Sequence, residues 1–179
     1  MGSGLAHAAV ADAGPLIHLH EIGCTSLLVI FEQLHVPDAV LREAQQHKRV
    51  PSKVISSLPG LVQHTVTAAE LTPFEQSHNL AGLHSGERTC LYLCERTGID
   101  VLLTDDLAVR EVAKRLGVMP VGSLGVVAKA FRLGRISLED AERRIVALYE
   151  VSSLFVTRTI VELAIERLRE HANIHAEET

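Results

Sequence analysis

The chain has no tryptophan, two tyrosines and four phenylalanines, so platforms on which nucleic-acid bases could stack are scarce. Any contact with nucleic acid would lean on phosphates more than on base edges. Its three cysteines, Cys24, Cys90 and Cys94, are too few and wrong in number for a disulfide framework. Cys90 and Cys94 share one helical face and read as small buried apolar residues, which suits a reducing cytoplasm. No apolar run approaches the roughly 18 residues of a membrane span. The N-terminus lacks the basic region and apolar core of a signal peptide. Positive charge is also short: the net charge is −5, which argues against a broad electrostatic footprint for nucleic acid. Eight of the 17 basic residues nevertheless fall between Arg110 and Arg144, so one region can be locally positive.

What is present is a globular chain. With 179 residues, 47% of them hydrophobic, and a mean hydropathy of +0.20, it fits one domain with a sizeable core. Strand-like and helix-like stretches alternate almost throughout, which predicts an α/β fold: a mainly parallel central sheet flanked by helices in a three-layer sandwich. The organising stretch is Asp100-Val-Leu-Leu-Thr-Asp-Asp-Leu107. Val101 to Thr104 has the length and type of a strand buried on both faces, and Leu107 to Leu116 takes up a helical pattern closed by Gly117. Asp105 and Asp106 therefore sit where a parallel strand hands over to a helix, the edge at which open α/β sheets bind ligands.

Three other acidic positions have a similar setting. Ala8 to Asp12 reads as a short buried strand, with Pro15 in the first turn of the helix that follows. Leu34 to Pro37 reads as a second strand. Asp38 is then the expected N-cap of a helix over Ala39–Gln46, in which Glu43 can point back towards the sheet edge. Glu87 lies in the first turn of a helix running from about Gly86 to Thr97, where a carboxylate also complements the helix dipole. The remaining expectations are a weak strand over Leu61–Val66 and a capped helix start at Thr72-Pro-Phe-Glu75. After these come a strand over Val118–Val121, a helix capped by Ser123, another opened by Ser137, an edge strand or extended turn over Ser153–Thr157 and a final helix from Arg158 to Glu170.

If the sheet assembles in this way, Asp12, Glu43, Glu87 and the pair Asp105/Asp106 meet in one cleft. Several ionised carboxylates cannot share a cleft without a counter-charge. Hard oxygen ligands suit Mg²⁺ or Mn²⁺ better than zinc, and such an ion would activate water for attack on a phosphodiester. Two other chemistries fail on residues. A haloacid-dehalogenase-type phosphatase needs Asp-x-Asp after its first strand, but Gly14 takes the second acidic position. Gly122-x-x-Gly125 is not a dinucleotide-binding fingerprint.

The ordered motifs Ala11-Asp-Ala-Gly-Pro-Leu16, Val36-Pro-Asp-Ala-Val-Leu-Arg-Glu43, Ser85-Gly-Glu87 and Leu103-Thr-Asp-Asp106 resemble those of PIN domains over roughly residues 8 to 135. The resemblance implies a Mg²⁺- or Mn²⁺-dependent endoribonuclease, with Asp12, Glu43, Glu87 and Asp106 as the acidic quartet. It makes Asp105 an extra ligand or a helix cap, and Thr104 a hydroxyl supporting the metal or phosphate. Lys129, Arg132 and Arg135 are candidate RNA contacts. Toxin action with an antitoxin partner and homodimerisation are further family expectations, as is a catalytically weak module acting through RNA or protein binding. Gly14 stands where the family often has Ser. The expected organisation is a PIN-like domain over residues 5–150, a C-terminal helix over 151–171 packed on it, and a flexible tail over 172–179.

Overall fold

A computed structural model describes residues 6–46 and 49–177 of the chain. Five strands form the central sheet: β1 (Ala6–Ala11), β2 (Phe31–Pro37), β3 (Leu61–His64), β4 (Val101–Leu103) and β5 (Met119–Val121). All pairings are parallel and the order is β3-β2-β1-β4-β5. Every connection is a helical crossover, as parallel pairing requires. The helices are α1 (Ala13–Glu21), α2 (Asp38–Gln45), α3 (Ser52–Ser56), α4 (Ala68–Ser77), α5 (Ser85–Thr97), α6 (Leu107–Arg115), α7 (Ser123–Arg132), α8 (Leu138–Glu150) and α9 (Arg158–Glu177). A 3-10 turn over Thr25–Ile30 leads into β2. The result is the expected three-layer α/β arrangement, and no helix among the described residues is long and apolar enough to cross a membrane.

The central strand explains the packing. Ala9, Val10 and Ala11 are wholly buried, and their small side chains let helices approach both faces of the sheet. α5 packs on β1, β2 and β4, while α1 and α7 contact each other and α8 and α9 pack together. Leu16, Leu19, Leu34, Leu91, Leu102 and Ile145 are among the large side chains fully removed from water. Cys24, Cys90 and Cys94 are buried free thiols. Because β1 has β2 on one side and β4 on the other, the crossovers diverge at its carboxyl end. This is the switch point where the loops after β1 and β4 leave a crevice.

Several local expectations shift. Asp38 does not cap α2: Pro37 holds the cap position, and the Asp38 carboxylate accepts hydrogen bonds from Gln63 Nε2 (2.8 Å) and Thr65 Oγ1 (2.6 Å). The helix expected at Thr72 begins earlier, at Ala68. There Thr67 and Glu70 form a reciprocal capping box, which leaves Pro73 inside the helix. Residues 153–157 form no strand; Ser153 instead bonds through its amide and hydroxyl to Glu21. α9 continues to Glu177, beyond the end expected at Glu170 and into the tail expected over 172–179, because neither Gly nor Pro interrupts residues 158–177. Residues 178 and 179 of that tail lie outside the described residues.

Candidate functional site

The register β1–β4 sets Val10 beside Leu102 and Ala11 beside Leu103, so Asp12 and Thr104 leave the sheet side by side. The Asp12 amide donates to Leu103 O at 2.9 Å. The Asp12 carboxylate accepts from the Ala13 amide at 2.8 Å through Oδ1 and from Thr104 Oγ1 at 3.2 Å through Oδ2. Asp12 is 6% exposed and Thr104 fully buried. Burial is the largest influence on Asp12 and pushes its carboxyl from the ordinary 3.8 up to about 7. The Ala13 amide opposes this, while the negative charges of Glu87 and Glu43 add to it.

Glu87 occupies the first turn of α5, and its Oε2 accepts from the His84 amide at 2.6 Å, closing a capping box. Its pKa is also raised, first by burial and then by the charges of Asp106 and Glu43, against the pull of the His84 amide. Glu43 reaches across from α2. A Cβ on Gly86 would lie 3.2 Å from Glu43 Oε2, so a larger residue at this position would press on the Glu43 carboxylate. Asp106 is exposed; its Oδ1 accepts from Val109 N at 3.0 Å and so caps α6, and its amide donates to Thr104 Oγ1 at 3.3 Å. Asp12, Glu43 and Glu87 thus lie within electrostatic reach of one another and Asp106 within reach of Glu87, while Asp12, Glu87 and Asp106 also take part in helix caps. Among the described residues, no three His, Cys, Asp or Glu side chains are already arranged to hold a metal ion.

The donor chemistry still fits a hard divalent cation. The set is all carboxylate oxygen, and the charges acting on buried Asp12 are negative. Cys90, on α5 behind the site, is unsuited: it is fully buried, points its thiol at Ala11 O (3.6 Å), and burial pushes its pKa far up. Cys90 therefore offers this crevice no soft thiolate ligand.

Asp105 turns to the other side. Its Oδ1 accepts from the Ser123 amide at 2.7 Å, and its Oδ2 accepts from Ser123 Oγ at 2.6 Å and contacts His18 Nδ1 at 2.8 Å. It therefore caps the start of α7 and ties that helix to α1, with both oxygens engaged. Ser123, expected to cap α7, is instead the first helical residue and the donor to Asp105. Gly122 is needed for this contact, since a Cβ there would lie 2.8 Å from Asp105 Oδ1. Gly14 is different: a Cβ would meet His18 and Asp105 at ordinary distances of 3.6 and 3.7 Å, so a serine fits.

Sequence reasoning missed Arg110, whose Nη1 donates to Thr104 O at 3.2 Å. A single-turn spacing from Asp106 was the only signal for it. Arg110 and Asp105 border an apolar cavity of about 680 Å³ between β5, α7 and the segment leading into α9. Lys129 and Arg132 line that cavity; Arg135 is exposed and is not part of its wall.

An open parallel α/β sheet with carboxylates gathered at its switch point defines a class of domain built to work on ligands at that edge. The sequence model of the family described as DUF3368: PIN domain matches residues 8–170, and the chain belongs to the PIN-domain family. PIN domains are generally nucleases that use divalent metals. Among curated proteins, none matches the chain.

Proposed function

We propose that this protein is a Mg²⁺- or Mn²⁺-dependent endoribonuclease acting in the cytoplasm. One observation carries the proposal: Asp12 is buried beside Glu87 and Glu43, with its charge made costly by burial and by theirs. Asp12, Glu43, Glu87 and Asp106 would hold the ion. When bound, a divalent cation neutralises the cluster, polarises a phosphodiester and makes a water acidic enough to attack it.

The remaining roles follow from this chain's own contacts. Thr104 Oγ1 fixes the orientation of Asp12 and links it to the Asp106 amide, so one buried hydroxyl aligns two carboxylates. The His84 amide fixes Glu87, and the Val109 amide fixes Asp106. Asp105 holds α1 and α7 together beside the crevice and serves as a positioning group. Lys129 and Arg132 offer positive charge for RNA phosphates on the α7 side, with Arg135 further out. In this reading the protein acts as the toxin of a toxin–antitoxin pair, binds an antitoxin and works as a homodimer.

A second reading, a catalytically weak module acting by RNA or protein binding, draws on the finding that no three ligands are preassembled among the described residues. Manganese titration with labelled single-stranded RNA separates the two. Metal-dependent cleavage by the wild type that is lost in Asp12→Asn and Asp106→Asn supports the enzyme. Equal cleavage by all three proteins, or none by any, removes it.

A further inference from the structure

The outer face of α9 carries a pattern that the fold does not use. Its inner face buries Val161 and Leu168 against the domain, with Ala164 and Ile165 partly covered between them. Nearly opposite, residues 160, 163, 167, 170 and 174 follow alternating steps of three and four, the spacing of a helix–helix seam. Ile160, Leu163 and Ile174 are 48%, 45% and 56% exposed, so apolar side chains recur along a solvent-facing stripe. Between them stand Arg167 and Glu170, both exposed, and neither has an ion-pair partner within the described residues.

The stripe is complementary to itself when reversed. Placed antiparallel to an identical helix, with the two-fold axis level with the midpoint of Arg167 and Glu170, each Leu163 meets Ile174 of the second copy. In the same register each Arg167 meets Glu170 of the other helix. A two-fold contact repeats every pair, so two apolar contacts flank two opposite-charge contacts. A parallel pair would instead set Arg167 against Arg167 and Glu170 against Glu170. The charge order therefore selects one orientation.

We infer that α9 is the surface through which two copies of this chain associate, antiparallel, in the register Leu163–Ile174 and Arg167–Glu170. This names the surface of the homodimer proposed above and is independent of the nuclease chemistry. The complementary charges argue for a second copy over an unrelated helix, because the same two residues supply both halves of each pair.

Sedimentation equilibrium of the full chain tests the inference by charge reversal. Arg167→Glu alone and Glu170→Arg alone each create two like-charge contacts and should weaken self-association by about tenfold. The double reversal restores both pairs and should return the wild-type dissociation constant. All of these residues are solvent-facing in one copy, so thermal melting at concentrations where every variant is monomeric should be unchanged and serves as the folding control. Leu163→Cys mixed with Ile174→Cys should cross-link on oxidation, whereas Leu163→Cys alone should not. A monomeric wild type, single reversals without effect, a double reversal that stays weak, or a Leu163→Cys self-cross-link would each overturn the seam. RNA cleavage measured on the same variants reports separately on the nuclease reading.

Discussion

Two clusters of ionisable side chains lie on neighbouring strands and meet burial in opposite ways. Beyond β1, Asp12 sits among Glu43, Glu87 and Asp106, all of one sign. Across β2 and β3, His35 and His64 stack with ring centroids 4.9 Å apart and share a 2.8 Å hydrogen bond between His35 Nδ1 and His64 Nε2. Arg96 lies 3.2 Å from His64 Nδ1 and can only donate, so that nitrogen accepts and the His64 proton is on Nε2. His64 Nε2–H then donates to His35 Nδ1, and His35 Nε2–H donates to Gln33 Oε1 at 3.3 Å. The histidine pair is satisfied when neutral, with every ring nitrogen matched by the chain itself. The carboxylates instead face charges of their own sign, and in the proposed reading a divalent cation would supply the counter-charge.

The pH dependence of stability has opposite signs at the two places. The Asp12 carboxyl is held up at about 7, so the folded state keeps a proton that the unfolded chain has lost. Without a cation, stability falls as pH rises from 3.8 towards about 7, by about 1.4 kcal/mol per pH unit at most. His35 and His64 are both held below 6.5, chiefly by burial, with the charges of His35 and Arg96 also acting on His64. Their contribution is present above 6.5 and is lost as pH falls through the lowered values.

The largest expected effect breaks the acidic side chemically. Asp12→Asn and Asp106→Asn should each lower Mn²⁺-dependent cleavage of single-stranded RNA by about a hundredfold or more, measured as initial rates. Thr104→Val keeps the carboxylates but removes the hydroxyl that aligns them, and should cost about ten- to a hundredfold. In chelator at pH 8, Asp12→Asn should raise the denaturation midpoint, and the gain should vanish near pH 4. A gain that is the same at both pH values would mean Asp12 carries no buried charge. The histidine side responds more weakly. Arg96→Met frees His64 Nδ1 to take a proton, so acid destabilisation between pH 7 and 5 should flatten slightly in urea melts. The smallest effect is Gly14→Ser, which meets only ordinary contacts in α1 and should raise stability by a few tenths of a kcal/mol.

The placement of Asp12, Glu87 and Asp106 beside the sheet edge was legible because each follows a local rule that survives folding: a short apolar strand, then a helix start, or a first-turn Glu after Gly86. The parallel sheet was legible for the same reason, through alternation of period and length. What could not be read depends on partners far along the chain. Asp105 and Asp106 are indistinguishable as neighbours, yet Asp106 caps its own helix while Asp105 caps α7, 18 residues on, and reaches His18, 87 residues back. Asp38 reads as a cap until β3 arrives with Gln63 and Thr65 as competing donors. The His35–His64 pair exists only through the β2–β3 register, in which His64 lies beside Pro37.

A Mn²⁺ titration followed by thermal unfolding at pH 7.5 tests most directly whether the carboxylate crevice is a divalent-cation site. The wild type should be stabilised saturably, and Asp12→Asn and Glu87→Gln should lose most of that shift while still folding. An equal shift in all three proteins, or no shift in the wild type, would contradict it.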